Sequence, residues 1–210
     1  MAPFMIFALP RSRTAWLSAF LTYGGWQCHH ETAIRARSIE QMAWFLRLPR
    51  TGVAETACAL GWRLFGYHVP ELQRVVVRRP VDDVVASMMR ADLRGVATYD
   101  EPTLRALMQR QRRALDELAV QPGVLVVDYA VLDRRDACAA VFEHCLPLKL
   151  PKDRWENMRQ RNVQKDITSF ILYYQRHKEA VDRFKAAAKA ELWRLARAGL
   201  IGREAAVGHS

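Results

Sequence analysis

The sequence predicts a single α/β domain built on a parallel sheet with helices on its faces. Three observations carry this. Short continuous apolar runs, Phe4 to Leu9, Val75 to Val77 and Val124 to Val127, read as buried strands. Longer amphipathic stretches alternate with them, as in α/β proteins. The chain has 210 residues, 50% of them hydrophobic, with no repeat, low-complexity tract or Pro/Gly/Ser linker, so one core suffices. Composition excludes collagen, low-complexity disorder and a disulfide scaffold.

In chain order, Phe4 to Leu9 is the first strand. Thr14 to Tyr23 reads as a helix stopped by Gly24-Gly25, and Trp26 to His29 as a candidate second strand. Ser38 to Leu46 reads as a helix with Ser38 as N-cap, and Thr56 to Phe65 as another. Arg74 to Arg78 is a strand centred on three valines. Pro80 follows at a helix start, where its missing N–H costs nothing. Asp82 and Asp83 complement the dipole of that first turn, and the helix runs to about Met89 or Arg90. Gly95 to Pro102 reads as a polar loop and a candidate lid. Thr103 to Ala119 is a charged amphipathic helix. Pro122-Gly123 turns the chain into the strand Val124 to Val127. Asp133 to His144 is helical, Leu146 to Pro151 a loop, and Asp166 to Ala198 one long or broken helix. Phe170, Tyr173, Tyr174 and Phe184 are expected to pack that helix on the core, or to line an acceptor pocket or a dimer face.

The formal charge is +10, and 26 of the 32 basic residues are Arg. All six Lys lie at or after Lys149. A surplus of this kind points to an anionic partner, and guanidinium suits phosphate or sulfate. Codon bias accounts equally well for surface arginines. Cys28, Cys58, Cys138 and Cys145 form no C-x-x-C and have no His at zinc-site spacing, so no metal is expected. Scattered thiols fit a reducing compartment. The apolar N-terminus lacks a basic n-region and a cleavage site, and no run reaches membrane-span length. A soluble cytoplasmic protein is expected, with oligomeric state left open and a homodimer among the options.

Pro10-Arg11-Ser12-Arg13-Thr14-Ala15-Trp16-Leu17 joins the first strand to the first helix. Ligands of open α/β sheets bind there, where free N–H groups and a helix dipole favour anions. Arg11 and Arg13 add charge, and Ser12 and Thr14 add hydroxyls. An ordinary turn with a Ser or Thr N-cap explains the same residues. The string lacks the Gly and Lys of G-x-x-x-x-G-K-[ST], which argues against kinases and ATPases. It resembles the 5′-phosphosulfate loop of the sulfotransferase superfamily, P-[KR]-S-G-T-T-x-L, most like the tyrosylprotein and bacterial type. Pro10, Arg11, Ser12, Thr14 and Leu17 match, whereas Arg13 replaces Gly and Ala15 replaces Thr.

That resemblance implies a P-loop-like three-layer sandwich. It covers most of residues 4–150, a nucleotide-binding core, with residues 151–210 as a helical C-terminal part of the same domain. It also implies a cofactor, 3′-phosphoadenosine 5′-phosphosulfate, with adenosine 3′,5′-bisphosphate as product and no metal. In the family, an Arg after a strand and a Ser eight residues on hold the 3′-phosphate. Arg79 and Ser87 have that spacing, with Arg78 as the alternative. Val124 to Leu132 resembles the strand ending in Y-E-x-L, which implies that Tyr129 lies near the adenosine.

Cys28-His-His-Glu-Thr32 follows the second strand, where the tyrosylprotein type carries a Glu-Thr pair with the Glu as base. The resemblance implies Glu31 as general base, with His29 and His30 as rivals. No Lys precedes Lys149, so Arg11 is expected to stabilise the leaving oxygen, electrostatically and without proton donation. The implied reaction is in-line sulfuryl transfer to a small-molecule or peptide hydroxyl acceptor. A catalytically inactive nucleotide-binding protein of the same fold is the alternative. Nucleic acid is not an expected partner, although Arg154 to Asn162 interleaves basic residues with Trp155. A solvated helix face is the simpler reading of that stretch. Arg110, Arg112 and Arg113 lie near Asp116 and Glu117, where local ion pairs are expected.

Overall fold

Five strands pair in parallel: β1 (Phe4–Ala8), β2 (Gln27–His30), β3 (Thr51–Glu55), β4 (Gln73–Arg78) and β5 (Val124–Asp128). Their spatial order is β2-β3-β1-β4-β5. The structure is a computed structural model that describes residues 2–34, 36–90, 100–161, 163, 183–184 and 186–200. Seven helices are numbered α1 (Thr14–Leu21), α2 (Ile39–Leu46), α3 (Trp62–His68), α4 (Val81–Arg90), α5 (Glu101–Ala119), α6 (Arg135–Cys145) and α7 (Lys152–Arg159). Residues 186–197 are also helical.

The central strand explains the layering. Every residue of β1 is buried, because a parallel strand must be covered on both faces. Its side chains alternate between two cores. Met5 and Phe7 join α2, α3, α4 and α5 through Met42, Phe65, Val85 and Leu115. Phe4, Ile6 and Ala8 join α1, α6 and α7 through Leu17, Phe142 and Trp155. The result is a three-layer α/β sandwich in one domain. Phe184, Leu192 and Leu195 pack into the first core, so the described C-terminal residues share it.

Local chemistry sets the boundaries. Ser38 caps α2 by accepting from the Gln41 N–H, as expected. Asp100 caps α5 by accepting from the Thr103 N–H, so Glu101 and Pro102 belong to that helix rather than to a loop. Helix α1 ends at Leu21, short of the expected Tyr23, with Thr22 as its C-cap, and Gly24 and Gly25, both at positive φ, turn the chain toward β2. The stretch Thr56 to Phe65 is not one helix. Strand β3 precedes it, a short 3-10 turn follows at Ala59–Gly61, and α3 begins only at Trp62. Residues 95–99 of the candidate lid and residues 166–182 and 185 of the expected long helix, with Phe170, Tyr173 and Tyr174, lie outside the described residues.

Segment α7 is not simply a solvated face. Trp155 and Met158 are buried, and Trp16 Nε1 donates to the Met158 carbonyl at 2.9 Å. Arg154 donates to the carbonyls of Ala19, Phe20 and Thr22, so it caps the open end of α1. Among the described residues all four cysteines are free and buried. None of the described helices is long and apolar enough to cross a membrane.

Gly52 in β3 sits opposite Phe4, and a Cβ there would lie 2.0 Å from the Phe4 ring. That ring is fully buried against Trp26, 5.9 Å between centroids, and has little room to move. Gly52→Ala is expected to lower stability by about 1–3 kcal/mol, the usual cost of overpacking. Denaturant unfolding checks this, and an unchanged midpoint contradicts the packing described.

Candidate functional site

The carboxyl ends of the five strands lie along one edge of the sheet, and each delivers part of the site. After β1 the chain turns through Pro10 to Arg13, with Arg11 at φ 65° and Arg13 at φ 61°. Left-handed backbone is unfavourable for a non-Gly residue by about 1–2 kcal/mol, yet both positions carry Arg. Arg13 thus takes a left-handed conformation of the kind that Gly adopts most readily. It is also the N-cap of α1 and supplies no side-chain capping bond to the first turn, so no Ser or Thr caps this helix. Ser12 is fully buried and its hydroxyl turns back to the Pro10 carbonyl at 3.5 Å. Ala15 lies in the first turn of α1.

Residues from the turn after β4, from α4 and from the turn after β5 close round this loop. Arg11 Nε donates to Ser87 Oγ on α4 at 3.3 Å, and Arg79 donates to the Arg11 carbonyl. The Arg79 guanidinium lies 4.2 Å from the Tyr129 ring centroid, and that of Arg13 lies 5.5 Å from the same ring. Arg13 Nη1 also donates to the Leu132 carbonyl at 2.9 Å. Burial, and then the charge of Arg79, hold the Arg11 guanidinium below its ordinary pKa. Among the described residues, none of Arg11, Arg13 and Arg79 forms an ion pair with a carboxylate, and Arg79 Nε is buried without an acceptor.

Arg78 goes elsewhere. It shares a strand face with Val76, which joins the core beneath α5. Its Nε lies 3.8 Å from Asp116 on α5, too far for a hydrogen bond but close enough for an ion pair. Arg112 pairs with the same Asp116 and donates to the Arg79 carbonyl at 3.3 Å. The expected local ion pair therefore forms at Arg112, and it also braces the turn that carries Arg79.

The opposite half of the edge is acidic. Glu31 follows β2 with φ 52° and is 5% exposed. Its Oε1 accepts from the Thr56 hydroxyl at 2.7 Å and lies 3.5 Å from His30 Nε2. The same His30 nitrogen lies 3.0 Å from Thr14 Oγ1. Thr14 follows the loop after β1, so this contact joins the two halves. Burial lowers the His30 pKa, and the Glu31 charge opposes that. His29 turns away and packs edge-on against Phe45, 4.8 Å between centroids. A cavity of about 610 Å³ opens beside this half, lined by His29, His30, Glu31, Gln41, Met42 and Phe45 among others.

Glu55, at the end of β3, is 1% exposed and was missed because its strand was missed. Its Oε1 accepts from the Ala33 N–H at 2.8 Å. A carboxylate ending a strand beside β1 is a legible signal once β3 is recognised.

His30 is expected to titrate below its ordinary 6.5 in an NMR titration. A folded value below the unfolded one means that stability rises with pH across the interval between them and falls as the solution is acidified through it. Glu31→Gln removes the opposing charge and is expected to lower the His30 value further. A rise would contradict the geometry.

The chain matches no protein-family model and no curated protein sequence. Among solved structures it is similar to mouse sulfotransferase SULT7A1 complexed with PAP, at 13% identity and a TM-score of 0.51. The likeness covers 90% of this chain and 66% of that one, so this chain spans just under two thirds of its neighbour. The chain has the sulfotransferase type of P-loop-like α/β fold.

Proposed function

We propose that this chain transfers a sulfuryl group from 3′-phosphoadenosine 5′-phosphosulfate to a hydroxyl acceptor by in-line displacement. The observation that carries the reading is the cluster of Arg11, Arg13, Arg79, Ser87 and Tyr129 at the ends of β1, β4 and β5. Gathered guanidinium groups repel one another, and a multiply charged anion relieves that repulsion. The buried Nε of Arg79 and the uncapped start of α1 are donors of the kind such a nucleotide needs. The complex of the mouse neighbour with PAP supports the choice of nucleotide.

In this reading Arg79 and Ser87 hold the 3′-phosphate, with Arg78 engaged by Asp116. Residues Pro10 to Ala15 hold the 5′ end through backbone N–H groups, Ser12 and Thr14. Tyr129 flanks the adenosine. The nucleotide supplies an activated sulfuryl group. Arg11 stabilises the charge that develops on the leaving oxygen, in the position where relatives commonly use Lys. Its high intrinsic pKa prevents it from donating a proton there.

His30 and Glu31 act together as the base. Glu31 supplies the charge, and His30 carries the contact to the loop through Thr14. The hydroxyl proton goes to this pair, and the acceptor, a small molecule or a peptide side chain, occupies the cavity beside it. Buried free thiols fit a reducing compartment, the cytoplasm in this reading. A nucleotide-binding protein of this fold without turnover is the second reading. It is favoured by Arg13, whose guanidinium is engaged with Leu132 and Tyr129.

Calorimetric titration with adenosine 3′,5′-bisphosphate is expected to show binding. Arg79→Ala is expected to weaken it about 10- to 100-fold, the worth of charge-assisted hydrogen bonds. Absence of binding by the natural chain would sink both readings. Glu31→Gln and His30→Gln are each expected to cut turnover by about 10²- to 10⁴-fold while sparing nucleotide affinity. Nucleotide binding without any turnover selects the second reading.

A further inference from the structure

The acidic half of the site contains a carboxyl pair that simple base chemistry does not require. Glu31 and Glu55 end neighbouring strands, and the Glu31 N–H donates to the Ala54 carbonyl at 3.1 Å, next to Glu55. Both side chains are more than nine-tenths buried. One oxygen of each is satisfied: Glu31 Oε1 by the Thr56 hydroxyl, and Glu55 Oε1 by the Ala33 N–H. The other oxygen of each, Oε2, is buried with no donor among the described residues. The register that pairs His30 with Ala54 brings Glu31 beside Glu55, and each carboxyl is held by the other's strand exit, Glu31 by Thr56 and Glu55 by Ala33.

Two ionised carboxylates side by side in a buried site repel strongly, and each would leave a lone oxygen unsatisfied. A single proton between them removes both penalties. Groups from several neighbouring elements face the pair. From β2, Cys28 is a buried thiol whose pKa Glu55 helps to push up, so it stays neutral. After β2, His30 lies against Glu31 and is held below its ordinary value by burial. From the segment after β3, Thr56 offers a hydroxyl. From the turn after Glu31, the backbone N–H groups of Thr32 and Ala33 face Glu55. No arginine or lysine among the described residues pairs with either carboxyl.

We propose that Glu31 and Glu55 share one proton, and that Glu55, as a neutral acid, is the positioning residue that holds Glu31 as the ionised member. Burial, and then the Glu31 charge, keep the Glu55 carboxyl well above the usual carboxylate range, in agreement. The neutral Glu55 donates to Glu31 and cannot itself take the acceptor proton. It fixes one Glu31 oxygen and leaves the other facing Thr56 and His30. Proton sharing stands on this geometry alone, whereas the role of the pair in turnover rests on the proposed function.

Infrared difference spectroscopy of the full chain, natural against Glu55→Gln, tests the shared proton directly. The carbonyl stretch of a neutral carboxylic acid is expected in the natural chain at pH 7–8 and is expected to be lost in Glu55→Gln. Its absence from the natural chain overturns the proposal. Thermal unfolding gives a second reading. Glu55 is raised in the folded state, so its stabilisation is present below the unfolded value and is lost as pH rises through the folded one. The melting temperature of the natural chain should therefore fall relative to Glu55→Gln between pH 5 and pH 8, and parallel curves contradict sharing. For the catalytic role, Glu55→Ala is expected to lower kcat at least about tenfold with nucleotide affinity unmoved, and Glu55→Gln to recover most of it. An equal loss in both variants overturns positioning through a donated hydrogen bond. If the chain binds no nucleotide, the proposed function fails while the infrared band still decides the proton.

Discussion

A parallel sheet covered on both faces leaves its polar chemistry only one place to go, the ends of its strands. Strand β1 imposes that constraint here. It is buried along its whole length, and its alternating side chains bind both helical layers to the sheet. The residues that can bind or react therefore gather where the strands stop and the helices start. Loop geometry follows from the same strand. Its exit leads through two left-handed arginines into α1, which leaves the helix start open.

The strand order then sorts charge. In β2-β3-β1-β4-β5 the central strand separates two kinds of chemistry. Toward β4 and β5 lie Arg11, Arg79, Arg13 and Tyr129, a cationic and aromatic group. Toward β2 and β3 lie His30, Glu31 and Glu55, a group that holds and accepts protons. The contact between Thr14 and His30 is the junction. Under the proposed function this is the order that group transfer requires, with the anionic donor on one side, the hydroxyl acceptor on the other, and the reacting atom between them. The +10 charge thus has a local meaning at three arginines, whereas others, such as Arg154 of α7, which caps α1, and Arg112 on α5, serve the fold.

Much of this edge was legible in the sequence. Valine and aromatic runs announced β1, β4 and β5, and the polar residues just after them are those that the structure gathers at the strand ends. Strand β3 was not legible, for a physical reason. Its residues are Thr, Gly, Val, Ala and Glu, and the small ones are there because Phe4 lies over Gly52. Propensity reads small residues as turn or helix, and only the packing against β1 makes them a strand. Missing β3 also hid Glu55. Arg78 and Arg79 are indistinguishable in one dimension but part by alternation once α5 covers the face that Val76 and Arg78 share, so that Arg78 meets Asp116 and Arg79 turns to the loop after β1.

The most direct test of the account is a crystal structure with adenosine 3′,5′-bisphosphate. The account predicts the 3′-phosphate within hydrogen-bond distance of Arg79 and Ser87. It predicts the 5′-phosphate against the loop at Pro10 to Ala15, on the side where Thr14 meets His30. A nucleotide bound away from the strand ends, or held by Arg78 with Arg79 turned aside, would contradict it.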